Sequence, residues 1–311
     1  MKRAVISGAT GVVGTALIKV LVSNGVEVLV LCREKSKRNG NILKHPLVEK
    51  KYCSLEELKF LKNDTGKKYD VFYHFAWQGT IGTERNDMYL QNANVKYTLD
   101  AVEAAKSFGC HTFIGAGSQA EYGRVEGILS SSTPVFPENG YGIAKLCAGH
   151  LSRILCEQMG IQHIWARILS IYGPCDSDNS MVMSIIRDLL EKKRPSFTKG
   201  EQEWDYLYSM DAGQAMYALG QNGKSGKVYC IGSGMARPLL EYVEIIRDCI
   251  NPQANLGIGE IPYADKQVMY LCADISELTI DTGFVPKYTF EEGIRETIEW
   301  YKNIAHCGDA I

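Results

Sequence analysis

An apolar segment, Val5-Ile6-Ser7, runs directly into Gly8-Ala9-Thr10-Gly11-Val12-Val13-Gly14, and beyond it Leu17, Ile18, Leu21 and Val22 recur at helical spacing. A short strand that turns through three glycines into an amphipathic helix folds in few ways. Glycine lets the backbone approach a phosphate, and the free N–H groups at the start of a helix favour negative charge, so such a turn cradles the pyrophosphate of a dinucleotide. The spacing Gly-x-x-Gly-x-x-Gly departs from the commoner G-x-G-x-x-G, and with 30 glycines in the chain the turn needs support from its context. That support comes from the pattern around it.

Strand-like and helix-like segments alternate through the first half of the 311 residues. Strands are expected near 3–7, 26–31, 48–52, 70–75, 111–116 and 161–167, with helices near 12–23, 54–63, 84–107 and 140–159. This alternation predicts an α/β fold, a doubly wound parallel sheet with helices on both faces and ligands at the carboxyl ends of the strands. After Tyr172-Gly173-Pro174 the rhythm breaks. A helix near 180–192 opens a smaller lobe, the chain returns to the sheet around 205–231, and helices follow near 238–250 and 290–303. The expected division is a dinucleotide-binding domain of 1–170 with 204–232, and a mostly C-terminal substrate-binding lobe of 171–203 with 233–311.

The formal net charge is −2, and no basic stripe interleaved with aromatics appears, which argues against nucleic acid as a partner. No apolar stretch reaches membrane-spanning length. Met1-Lys2-Arg3 followed by apolar residues has the outline of a secretory leader, but glycines and Thr10 interrupt it and no small-residue cleavage site follows; a cytoplasmic protein is expected. The ten cysteines include no Cys-x-x-Cys, and Cys32, Cys110, Cys230 and Cys272 sit in apolar runs, as small core residues do in a reducing compartment. The six histidines form no pair at metal-ligand spacing, and His74 lies in the strand Val71-Phe72-Tyr73-His74-Phe75 as a packed imidazole, so no metal is expected.

A second motif, Tyr141-Gly142-Ile143-Ala144-Lys145, places a phenol and an ammonium one helical turn apart on the same face. A free tyrosine titrates at about 10 and exchanges protons poorly at neutral pH. An ammonium about 5 Å away, at an effective dielectric of about 20, favours the phenolate by roughly 3 kcal/mol, or roughly two pKa units. Lys145 is therefore expected to draw the Tyr141 phenol downward.

Together these motifs resemble an extended short-chain dehydrogenase/reductase, the class that holds nucleotide-sugar epimerases, dehydratases and ketoreductases and folds as a Rossmann-type sheet. The resemblance spans nearly the whole chain. It also rests on His74-Phe75-Ala76, on Asn94-Val95 with Thr98, on Gly117-Ser118 before Glu121-Tyr122-Gly123, on Arg167 before Tyr172-Gly173-Pro174, and on Asp205-Tyr206 leading to Asp211. It implies a catalytic triad of Ser118, Tyr141 and Lys145, with Ser118 donating a hydrogen bond to a substrate carbonyl and Tyr141 delivering the proton. A plain turn hydroxyl is the other reading of Ser118. The cofactor would be held by Gly8, Thr10, Gly11, Val12, Val13, Gly14, Arg33, Ala76, Asn94, Tyr141 and Lys145, and the substrate by Ser118, Gln119, Ser170 and Trp204. A homodimer through the helices near 84–107 and 140–159 is implied as well.

The residues flanking Ser118 bear on the reaction. Members of the class that dehydrate sugars carry an Asp-Glu pair directly after this hydroxyl, whereas Gln119 and Ala120 stand here and neither shuttles a proton. Members that join 3,5-epimerisation to reduction use a cysteine where Ala120 stands. The second strand ends in Cys32-Arg33 without the acid that bonds the ribose of NAD, and Arg33, Lys35, Lys37 and Arg38 offer cations to a 2′-phosphate; the run would otherwise be a solvated surface loop. NADP(H) is expected over NAD. Trp204 replaces the arginine that usually clamps the substrate diphosphate, Glu260-Ile261-Pro262-Tyr263 lacks the second one, and Ser170 stands where an asparagine is common. Trp204 is expected to line the substrate cleft, with a core indole as the alternative, while Arg187, Arg237 and Lys266 are the remaining sources of charge. The expected activity is NADPH-dependent reduction of a nucleotide-activated 4-keto sugar. A 4-epimerase that retains its cofactor is the nearest rival, and a non-catalytic NADP-sensing protein a further one.

Overall fold

The computed structural model describes residues 1–308. The first half runs β1 (Arg3–Ser7), α1 (Val12–Ser23), β2 (Glu27–Cys32), β3 (Val48–Tyr52), β4 (Val71–His74), α2 (Met88–Ser107), β5 (Thr112–Ser118), α3 (Gly140–Met159) and β6 (Gln162–Ile168). Then come β7 (Ser170–Tyr172), α4 (Met181–Leu190), β8 (Glu203–Trp204), β9 (Tyr206–Tyr208), α5 (Ser209–Asn222) and β10 (Val228–Ile231). The chain ends with β11 (Arg237–Pro238), α6 (Leu239–Ile250), β12 (Tyr270–Leu271), α7 (Ser276–Thr282) and α8 (Phe290–Gly308).

Seven strands form one sheet in the order β10-β6-β5-β4-β1-β2-β3, every neighbouring pair parallel. Continuous apolar runs suit strands covered on both faces, and β4 is buried at every residue. Strand alternation divides the coverage: Ala4 and Ile6 of β1 face a core shared with Leu17, Ile18 and Leu21 of α1 and Met216 of α5, whereas Val5 faces Ala101, Val102 and Ala105 of α2. The order reverses beside β1, which is where a crevice opens at the carboxyl ends of the strands.

The smaller lobe packs α4, α6 and α8 around Tyr172, Tyr208, Tyr242 and Phe290, with the short sheet β11-β8-β12 beside it. Its boundary differs from the expected division in two respects. Trp204, Tyr206 and Tyr208, expected with the dinucleotide-binding domain, pack instead on the core of this lobe, because β9 pairs with β7 outside the seven-stranded sheet. Leu278 and Phe284 join the core of the large sheet, and α7 packs on α5 and β10, because its apolar face completes the cover over the edge strand. Two helices also differ from expectation. Residues 54–63 form only the 3-10 turn Leu58–Phe60, since Leu55, Leu58 and Leu61 recur every three residues and seat that turn on the core. The helix expected from 84 begins at Met88, where the Asp87 side chain accepts from the Tyr89 and Leu90 N–H groups, and a 3-10 turn, Gly82–Asn86, precedes it. Among the described residues no helix is long and apolar enough to cross a membrane.

Candidate active site

The glycine turn is built by close backbone approach. Gly8 has φ of +77°, and a Cβ there would lie 2.5 Å from the Ala76 nitrogen. At Gly14 a Cβ would lie 2.5 Å from the Gly8 carbonyl oxygen. Both are required by packing. Gly11, the N-cap of α1, is different: a Cβ there would meet nothing nearer than 3.9 Å, and its side faces a cavity of about 700 Å³. The missing side chain leaves room for a ligand at the helix N-terminus, so this turn fits a dinucleotide pyrophosphate. Thr10 and Ala76 line the same cavity, while Val13 is buried in the core with Val12 packed on it, leaving these two valines only their backbone to offer.

Arg33 and Arg38 line the cavity at the end of β2, and both are exposed. Cys32, not an acid, ends the strand. Asn94 is buried, and its amide is committed to the protein: Oδ1 accepts from the Gln78 N–H at 2.9 Å, and Nδ2 donates to the Gln78 and Leu90 carbonyls at 2.9 and 3.1 Å. It shapes the wall of the cavity through the loop that follows β4.

Ser118 ends β5 and caps the short 3-10 turn Gln119–Glu121, its Oγ accepting from the Ala120 N–H at 3.2 Å. α3 docks directly on that turn. A Cβ on Gly142 would lie 2.3 Å from the Ala120 carbonyl oxygen, and Asn139 caps the helix by accepting from the Gly142 N–H at 2.9 Å. The approach brings Ser118 near enough to the Tyr141 phenol for its hydroxyl to favour the ionised form. Lys145, 3% exposed, donates to the Ala116 carbonyl at 2.7 Å and lies 3.8 Å from the centre of the Trp77 ring. The three residues of the expected triad therefore meet at the carboxyl ends of the strands.

Their electrostatics differ from the sequence expectation. Burial raises the Tyr141 phenol above its ordinary range, Ser118 and Arg85 oppose that rise, and Glu121 adds to it. Lys145 stands 5.8 Å from the Tyr141 ring centre, and burial pulls its own ammonium down to about 7, so at the higher pH where a phenol ionises it keeps little charge to favour the phenolate. Arg85 is nearer, with its guanidinium carbon 4.4 Å from the ring centre. Neither Arg85 nor Trp77 was identified from the sequence. Both sit in the loop between β4 and α2, which carries no period to place them; the only local signal was an aromatic and a cation beside His74-Phe75-Ala76.

Glu121 is fully buried and accepts from Arg167 Nε at 2.7 Å, from Trp165 Nε1 at 3.0 Å and from the Ser118 N–H at 2.8 Å. This carboxylate, three residues after Ser118, is thus occupied in fixing the turn. Gln119 stays partly exposed, and its buried Oε1 has no protein partner. Ser170 lies two residues past Ile168, which is in register with Ser118, and its Oγ accepts from Trp204 Nε1 at 2.8 Å. Trp204 is half-buried, packed on the small-lobe core, and neither residue lines the 700 Å³ cavity. Arg187 pairs with Asp188 and Arg237 with Glu291, while Lys266 is exposed and its charge acts on Glu138. Among the described residues no three metal-ligating side chains converge. His74 is buried between Ser7 and Thr98, its Nδ1 2.8 Å from the Ser7 hydroxyl.

The model of the NAD dependent epimerase/dehydratase family matches residues 4–232. The chain belongs to this family. This epimerase/dehydratase family member is 23% identical to the dTDP-glucose 4,6-dehydratase of Streptomyces niveus over 97% of its own length and 93% of that protein. Its match to the dTDP-glucose 4,6-dehydratase of Escherichia coli spans 50% of that enzyme. Among solved structures, the UDP-N-acetylglucosamine 4-epimerase from Methanobrevibacter ruminantium in complex with UDP-N-acetylmuramic acid superposes with a TM-score of 0.86 at 22% identity, covering 97% of this chain and 99% of that one. The UDP-glucuronic acid 4-epimerase from Bacillus cereus in complex with NAD gives 0.85 at 22%, covering 99% of each. At these identities the structural likeness is one of fold.

Proposed function

We propose that this family member reduces a nucleotide-activated 4-keto sugar at the expense of NADPH. The observation that carries the reading is the Ser118 turn: its hydroxyl meets Tyr141, Gln119 and Ala120 occupy the two following positions, and Glu121 is committed to Arg167 and Trp165. Proton transfer is thus provided for at one point, without the separate acid and base that loss of water demands. When bound, the nicotinamide supplies hydride to the carbonyl carbon. Tyr141 gives its proton to the carbonyl oxygen, Ser118 donates a hydrogen bond to that oxygen, and Lys145 holds the ribose side of the site; solvent then reprotonates Tyr141. The carbonyl becomes a secondary alcohol.

Arg33, directly after a strand that ends in Cys32 and not in an acid, supports NADPH, as a 2′-phosphate needs a cation there. Gln119, Ser170 and Trp204 are assigned to the substrate side, Trp204 holding the Ser170 hydroxyl through its Nε1. In this reading the large sheet serves as the dinucleotide-binding domain and the smaller lobe as the substrate-binding one. Ile143, Cys147, Leu151 and Ile154 form an exposed stripe along α3, which supports a homodimer through α2 and α3; the mass in solution tests it, a monomer being the contrary result.

A 4-epimerase is the second reading, supported by end-to-end likeness to solved 4-epimerases. The deciding experiment follows NADPH against product with nucleotide 4-keto sugars. One NADPH consumed per sugar reduced supports the reductase; interconversion of two epimers with no net cofactor consumption replaces it with the epimerase.

A further inference from the structure

Two basic side chains approach the Tyr141 ring, Arg85 at 4.4 Å and Lys145 at 5.8 Å from its centre, and the spacing of its own helix announces only Lys145. Arg85 comes from the Gly82–Asn86 turn, and its position there is fixed from several sides. Its Nη1 donates to the Thr80 carbonyl at 3.0 Å, and the Asn86 side chain accepts from the Gly140 N–H at 3.0 Å. A Cβ on Gly140 would lie 3.0 Å from the Arg85 carbonyl oxygen, so the turn rests on the first residues of α3. Buried Gln91 holds the loop from below, its Nε2 donating to the Gly79 and Glu84 carbonyls at 2.8 and 3.0 Å and its Oε1 accepting from Trp77 Nε1 at 2.9 Å. The Trp77 ring meets the Tyr141 ring edge-on, with centres 6.1 Å apart.

The groups facing the phenol are thus Ser118 from the end of β5, Glu121 from the turn after it, Lys145 from α3 and Arg85 from the loop. Glu121 opposes ionisation, and Ser118 favours it through an uncharged hydroxyl. Lys145 is enclosed and loses its charge readily, whereas a guanidinium keeps its charge at any pH a protein tolerates. We infer that Arg85 is a positioning residue of the active site, a permanent charge laid on the face of Tyr141 that holds the ring and favours its phenolate. This rests on Tyr141 as the proton-transfer group.

The test needs no sugar. The tyrosinate absorbance of the protein, minus that of its Tyr141→Phe variant, isolates the ionisation of Tyr141. The same difference is then taken in Arg85→Gln and Arg85→Lys backgrounds. Arg85 is partly exposed, so solvent screens it, and at an effective dielectric of about 40 its charge moves the phenol by about one pKa unit: Arg85→Gln should raise the midpoint by about one unit and cut the phenolate about tenfold. Arg85→Lys should stay near the unsubstituted protein. An unmoved midpoint, equal shifts in both variants, or a Tyr141 that does not ionise before the protein unfolds would each overturn the inference. With an active sugar, the pH limb set by Tyr141 should move upward in Arg85→Gln by the same amount, in kcat more than in KM. Absence of turnover with every nucleotide sugar would instead remove the proposed function, with the titration still deciding the role of Arg85.

Discussion

At the scale of single residues, Tyr141→Phe removes only the transferable proton. The rate should fall by about 10²–10⁴-fold with cofactor affinity nearly unchanged, which steady-state rates and cofactor titration measure together. A variant keeping more than about a tenth of the rate would show that the proton comes from elsewhere. Arg33→Asp puts a negative charge where a 2′-phosphate would lie, and loss of that charge-assisted contact should weaken NADPH by about 1.5–3 kcal/mol while sparing NADH. Equal affinities for the two cofactors before substitution would end the assignment. The facing of Tyr141 and Lys145 was legible in the sequence because one helical turn separates them, and Ser118 was legible through the resemblance to extended short-chain dehydrogenases/reductases. Arg85 and Trp77 were not, since their approach to Tyr141 and Lys145 depends on how an irregular loop hangs from Gln91.

At the scale of elements, the site depends on how closely α3 meets the turn after β5. Gly142→Ala would set a methyl 2.3 Å from the Ala120 carbonyl, and that backbone cannot yield without moving Ser118. A loss of about 1–3 kcal/mol in urea unfolding is expected. The rate should fall further than that loss accounts for, because Tyr141 is adjacent; a fully active, equally stable variant would show that the docking is not needed. The ion pair of Glu121 with Arg167 is a second determinant at this scale. It links positions 46 residues apart and is buried at both ends, so it follows from the pairing of β5 with β6 and from no local pattern. Propensity likewise missed the turn at Leu58, where a three-residue apolar repeat prevailed over helix.

At the scale of the whole molecule, two enclosed histidines tie stability to pH. Burial pulls His74 down to about 3 and His163 to about 4, from an ordinary 6.5. Below about 6.5 the unfolded chain binds protons that the native state refuses. Their contribution is therefore fully present above that pH and declines as pH falls towards 4 and then 3, by about 1.4 kcal/mol per pH unit for each histidine. His163→Gln should flatten the decline in urea midpoint between pH 6 and 4.5 by about half of the two-histidine slope. An unchanged slope would show that other groups govern acid unfolding. Glutamine replaces an imidazole whose Nε2 lies 2.9 Å from the Ser152 hydroxyl, so a modest loss at neutral pH is expected as well.

The sequence by itself determined the parallel sheet, the glycine turn at its first strand and the facing of Tyr141 and Lys145, because each rests on a period or a contact within a few residues. It also determined which proton-transfer groups are absent beside Ser118. Tertiary structure alone decided that α7 covers the large sheet, that Glu121 is occupied by Arg167, and that Arg85 and not Lys145 lies nearest the Tyr141 ring. Those outcomes depend on segments far apart in the chain meeting in a low-dielectric interior, where burial weakened Lys145 and left the exposed loop to supply the lasting charge.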